Sequence, residues 1–112
     1  MKKQPNYHDV FCQRFKQARQ AKGLSQKQLG IDAGIDEFVA SPRINRYEKG
    51  VHEADTETIQ RLADVLDVPL AYFYTADDEL AELILAFHAL SPKDKPEILA
   101  LVKSWAERPR QT

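Results

Sequence analysis

Between Arg14 and Gly30 the chain reads RFKQARQAKGLSQKQLG, two helix-patterned stretches separated by only three residues, Gly23, Leu24 and Ser25. On the upstream side Val10, Phe11, Phe15, Ala18 and Ala21 recur at helical spacing, which predicts a first helix from about His8 to Lys22. Lys22 followed by Gly23 is a basic last turn ahead of a residue suited to the left-handed C′ position. Ser25 offers a side-chain oxygen to the free amides of a second helix, and Gln28 three residues later completes a capping box. That helix begins at Gln26 and is expected to end near Ala33, with Gly34 as its C′ residue.

Downstream lies IDEFVASPRINRYEKG, residues 35–50, which is less regular. Ser41-Pro42 reads as an N-cap followed by proline at the first helical position, where the missing N–H does no harm. A third helix from Pro42 to about Lys49 then places Ile44 and Tyr47 on one face, and Gly50 stops it. A single helix from Glu37 would carry Pro42 in its interior at a cost of roughly 3 kcal/mol. The broken arrangement is therefore the expectation. Asp55 caps a fourth helix whose Ile59, Leu62, Ala63 and Leu66 face the core, and Val68-Pro69 ends it. Leu70 to Tyr74 forms a short fifth.

The remaining chain reads as a helical hairpin. Asp77 or Asp78 opens a helix with Leu80, Leu83, Ile84, Phe87 and Leu90 in one stripe, and Ser91 to Pro96 makes the turn. Asp94 and Glu97 suggest a second capping box, and Ile98, Leu101, Val102 and Trp105 line the last helix. Leu85 and Leu99 fall off these stripes, so each helix has more apolar surface than one flank can bury. The pair must pack on the main body or on another copy.

A chain of 112 residues with 43% hydrophobic and 29% charged residues can bury a core without staples. Net charge is −1, which at first argues against nucleic acid. The distribution argues otherwise: residues 1–50 carry ten Lys or Arg against five Asp or Glu, and residues 51–112 carry six against twelve. Only the basic half needs to meet phosphates. Cys12 lies in an apolar helical pattern and reads as a packed thiol without a partner. MKKQPNYHD, residues 1–9, has no apolar run after its lysines and no spanning segment follows, so a cytoplasmic location is expected, with association to the nucleoid when DNA is bound. His8, His52 and His88 show no metal spacing, and no cofactor, metal or nucleophile–base pattern points to an enzyme.

RFKQARQAKGLSQKQLG resembles the first two helices of the phage-repressor (Cro/Xre-type) helix-turn-helix family. RINRYEKG is similar to the end of that family's recognition helix, and TIQRLADVLDVPLAYF to its fourth and fifth helices. The likeness covers about Arg14 to Phe73. It implies an all-α fold: a lambda-repressor-like five-helix domain over residues 8–75, followed by the hairpin over 76–108. It further implies that the third helix lies in the DNA major groove while the second spans its edge. Gln26 matches the family glutamine that meets a phosphate and braces the third helix, with Lys27 and Gln28 beside it. Arg46 aligns with a position that often reaches bases, where its fork suits guanine O6 and N7, or else a phosphate. Ser41 lies at the tip facing the groove, Arg43 and Asn45 touch backbone or bases, and Lys49 meets phosphate. Arg19 and Glu48 match the family's ion pair between its first and third helices.

The chain also departs from the pattern. Nine residues separate Gly34 from Ile44, where the family has about five, and the surplus falls within Asp36–Ala40. Asp36 and Glu37 would repel phosphates, so Phe38 or Val39 is expected to tuck inward while the acids point away. Gly30 replaces the alanine usual in the second helix, which would allow close approach by the enlarged turn. Two functions follow from the resemblance. One is a transcriptional regulator, a repressor that binds an inverted repeat of double-stranded DNA as a homodimer through its hairpin. The other is an antitoxin-like autoregulator whose residues 76–108 bind a partner protein. A third, a protein-binding adaptor that has lost DNA, would show no salt-dependent binding to any duplex.

Overall fold

The computed structural model describes residues 4–110, so Lys2 and Lys3 of the basic half lie outside the described residues. Helix α1 spans Tyr7–Lys22, with Asn6 capping its first amides and Gly23 closing it at φ 74°. Helix α2 spans Gln26–Asp32 and α3 spans Ala40–Lys49. Helix α4 spans Thr56–Leu66 under an Asp55 cap, and a 3-10 helix follows over Leu70–Tyr74. Two further helices, α5 over Asp78–Ala89 and α6 over Lys95–Ala106, follow, and the regular structure among the described residues is all helical.

The core is assembled one side chain per element. Phe15 of α1, Leu29 of α2, Ile44 of α3, Leu62 of α4 and Phe73 of the 3-10 helix have no solvent exposure. Phe73 stands edge-on to both Phe11 and Phe15, at ring-centre distances of 5.4 and 5.8 Å. Edge-to-face pairs of this kind add attraction beyond the area they bury.

Three local expectations are corrected. Helix α3 begins at Ala40 rather than Pro42, so Ser41 is no N-cap and Pro42 sits in the first turn. Proline is tolerated there because the first amides of a helix have no intrahelical acceptor. The first ladder bond is donated by Arg43 N–H to Val39 O. Ser25 Oγ accepts from Gln28 N–H, but the Gln28 carboxamide donates forward to Asp32 Oδ1 at 2.6 Å, so only half of that capping box forms. The charged Asp32 carboxylate, one turn ahead, attracts the carboxamide N–H and turns the side chain away from the Ser25 amide. At α6, Asp94 makes no side-chain cap; its own N–H donates to Ser91 Oγ at 3.2 Å.

Gly30 explains how α2 and α3 approach. A Cβ there would lie 2.7 Å from Ala40 Cβ and 3.1 Å from Ala40 Cα, so the space between the two helices admits no side chain at position 30. The connecting turn is ordered by Gly34 at φ 91° and by Ile35 N–H donating to Gly30 O at 2.9 Å.

Helix α5 rests on this body through buried Ala81 and half-buried Ile84 and Leu85. Its start is held by Arg14, a charged side chain of α1 that is itself buried. Arg14 donates to Thr75 O at 3.0 Å, to Ala76 O at 3.2 Å and to Asp78 Oδ1 at 2.9 Å. Beyond α5 the packing stops: α6 buries none of its side chains. The radius of gyration, 16.7 Å, exceeds the roughly 13 Å expected for a compact chain of this length, which is the signature of a projecting hairpin.

Candidate nucleic-acid interface

The rigid centre of the site is a clamp of three side chains. Arg19 of α1 grips Glu48 of α3 with both prongs of its guanidinium, Nε on Oε2 at 2.5 Å and Nη2 on Oε1 at 3.2 Å. Its remaining nitrogen, Nη1, donates to Leu24 O at 2.9 Å, in the tight turn before α2. Gln26, the first residue of α2, donates from Nε2 to Glu48 Oε1 at 3.1 Å. The Glu48 side chain is 4% exposed and that of Arg19 14%. A carboxylate so deeply placed is stable only with this many donors, and the donors come from α1 and α2. Glu48 therefore fixes how α3 sits against both.

Within α3, Ala40, Ile44 and Tyr47 face the core, which leaves the opposite face to Pro42, Arg46 and Lys49. Arg43 is also exposed, on the flank towards His52 and Glu53. Ser41 and Asn45 are half-buried, on the flank that also carries Glu48. Lys27 is exposed on the first turn of α2. Among the described residues Lys27, Arg43, Arg46 and Lys49 enter no ion pair. Four cations thus stand free around α2 and α3. Gln28 differs from them, since its carboxamide is engaged with Asp32.

The enlarged turn does not fold as its sequence suggests. Phe38 is 85% exposed and Val39 40%, so neither tucks inward. Ala40 takes the buried place instead, its methyl group packed in the space that Gly30 leaves by having no side chain. Asp36 bends back on its own turn: its Oδ1 accepts from Phe38 N–H at 2.8 Å and its carbonyl accepts from Val39 N–H at 3.0 Å.

The far end of α3 is also tied down, by two residues to which sequence assigned no such role. His8 Nε2 lies 3.0 Å from Gly50 O, and the Cys12 thiol donates to Tyr47 O at 3.4 Å. Burial, with Asp9 nearby, raises the Cys12 pKa, as expected of a packed and unreactive thiol. Neither contact has a signal in the local sequence, since each partner lies more than thirty residues away. No group of three or more metal-ligating side chains occurs among the described residues.

The family described as helix-turn-helix matches residues 15–73, more than half of the chain. The chain belongs to the Cro/Xre-type helix-turn-helix family of transcriptional regulators. Two uncharacterised helix-turn-helix transcriptional regulators, from Sinorhizobium medicae (strain WSM419) and Rhizobium meliloti (strain 1021), are each 32% identical to it over 74 residues. That stretch is 65% of this chain and 50% of each relative, so the chain spans about half the length of the curated relatives it matches. The crystal structure of the transcriptional regulator BswR superposes with a TM-score of 0.78 at 47% identity, over 83% of this chain and 92% of that one. The likeness to BswR therefore extends past the matched domain into the helical extension. No helix among the described residues is long and apolar enough to cross a membrane.

Proposed function

We propose that this chain is a sequence-specific DNA-binding repressor that reads an inverted repeat as a homodimer, with α3 in the major groove. The observation that carries the reading is the clamp: Arg19 and Gln26 hold Glu48, and so orient a helix whose outer face bears free cations. A helix of this width fits the groove where all four base pairs differ. Arg46 is the base-reading side chain, Lys27 and Lys49 meet phosphates, and Arg43, Ser41 and Asn45 contact the groove wall or floor. Gln26 contributes its remaining N–H and its oxygen at the groove edge. Gln28 serves the shape of α2 through Asp32 more than it serves DNA.

The second copy docks at the splayed hairpin. Leu80, Leu83, Ile84 and Phe87 of α5 face Ile98, Leu99 and Val102 of α6 across an open apolar groove of about 520 Å³. Leu99, Leu101, Val102 and Trp105 are about half exposed, a patch costly to leave in water. Isologous pairing of two hairpins would cover both patches at once and place two copies of α3 on half-sites about one helical turn, ~34 Å, apart.

Selection of binding sequences from random duplexes at two salt concentrations tests the reading. A palindromic operator and affinity that falls steeply with salt are expected. Lys27→Ala should weaken binding to all duplexes alike, whereas Arg46→Ala should also relax preference at one base pair. A protein that selects no sequence at either salt concentration would overturn the assignment. Sedimentation that finds only monomer, or a complex with a different protein on residues 76–108, would reassign the hairpin to a partner of the antitoxin kind.

A further inference from the structure

We propose that Phe38 is a specificity-determining side chain whose ring seats on the 5-methyl group of a thymine in the major groove; this rests on the reading above that α3 enters that groove. Phe38 is the most exposed of the large apolar side chains, at 85%, and it lies two residues before the first residue of α3. An apolar ring on a loose loop would need no explanation. This turn is not loose. Asp36 accepts hydrogen bonds from the amides of both Phe38 and Val39, Ile35 is tied to Gly30, and Ala40 is locked into the space that Gly30 leaves empty. The ring is therefore presented to solvent from a fixed backbone, so the backbone ordering that binding requires is already in place.

Position and chemistry select the occupant. The turn leads directly into α3, whose next exposed side chains are Pro42, Arg43 and Arg46, so Phe38 stands at the leading end of the helix that those guanidinium groups would bring to a duplex. A hydrocarbon ring has no donor or acceptor for base edges. The one major-groove feature it can read is the thymine methyl group, which otherwise stands in water. Asp36 and Glu37 flank the ring and would be repelled by phosphates, so a contact made by this turn is to a base edge rather than to a strand. The Asp36 carboxylate is in addition occupied by the Phe38 amide.

The test uses the full chain and the selected operator, with each thymine replaced in turn by deoxyuridine, which deletes only the methyl group. One thymine in each half-site should respond, with binding by the unaltered protein weakened roughly fourfold per methyl, the scale of one buried methyl-sized group. Phe38→Ala should bind the thymine operator more weakly and become indifferent to that same replacement, while its melting temperature stays unchanged. A protein for which no thymine responds, a Phe38→Ala variant as sensitive as the parent, or one that binds as tightly would each overturn the proposal. Arg46→Ala separates the two readings. If it loses affinity while Phe38→Ala does not, α3 docks as proposed and the ring has no part. If neither variant loses affinity, both readings fall.

Discussion

Leu29, Ile44 and Leu62 in the helix-turn-helix body are fully buried, whereas Leu80, Leu83, Leu99 and Leu101 in α5 and α6 are about half exposed. The two regions use the same kind of side chain in different states of completion. In the body five elements close around one core, and polar clamps such as Arg19–Glu48–Gln26 fix their relative positions. In the hairpin each helix is amphipathic in the ordinary way, yet the matching surface is missing for α6. Stability within one chain therefore resides in the body, and the proposed pairing of copies would add to it through the hairpin. Arg14 is the bolt between them, with its guanidinium in the body and its acceptors in the segment that launches α5.

The contrast can be broken most directly by truncating one leucine in each region. Leu62→Ala should lower unfolding free energy by about 2–5 kcal/mol in urea titrations. Leu99→Ala should change it by less than roughly 0.5 kcal/mol in the isolated monomer and act instead on self-association. Equal losses in the monomer would show that the hairpin already belongs to the core. Glu48→Ala comes next: it leaves the Arg19 charge without its partner and should cost about 3–5 kcal/mol together with DNA affinity. A variant with an unchanged melting temperature would remove the clamp from the argument.

Gly30→Ala is smaller and runs against propensity. Alanine favours a helix over glycine by about 1 kcal/mol, but overpacking against Ala40 should cost about 1–3 kcal/mol. The expected result is a lower melting temperature, partly restored when Ala40→Gly is added. Arg14→Ala sharpens the boundary between the regions. It deprives two backbone carbonyls of their donor, and amide exchange should accelerate in α5 well before it changes in α3. The smallest effect concerns pH. The His88 ring, 3.0 Å away, lowers the Asp67 pKa by hydrogen bonding and charge. A depressed carboxylate contributes above its ordinary range, near pH ~4, and that contribution fades as pH falls through the lowered value. Acid should accordingly loosen the end of α5, and Asp67→Asn should abolish that pH dependence as read by amide exchange.

Local sequence determined a large part of this protein. Helical periodicity, the Gly23 and Gly50 stops, and the Ser25, Asp55 and Asp77 caps are interactions within a few residues, so they are legible without a fold. The resemblance carried by GLSQ and RINRYEKG set the order of the five core elements. What the local pattern could not decide was competition between distant groups. Phe38 looks like a core residue by composition and is not one: the buried place against Gly30 is taken by Ala40, two residues further on. Arg14 looks like a solvated helical charge and is buried, because carbonyls more than sixty residues away converge on it. The start of α3 moved for the same reason: the contact with Gly30 places Ala40 at the first helical position, and proline two residues later does not object. Sequence determined which elements form and where each is stopped. The tertiary structure decided the cases that periodicity left open, Phe38, Ala40 and Arg14 among them, since burial there is settled by the volume and the partners that other elements bring.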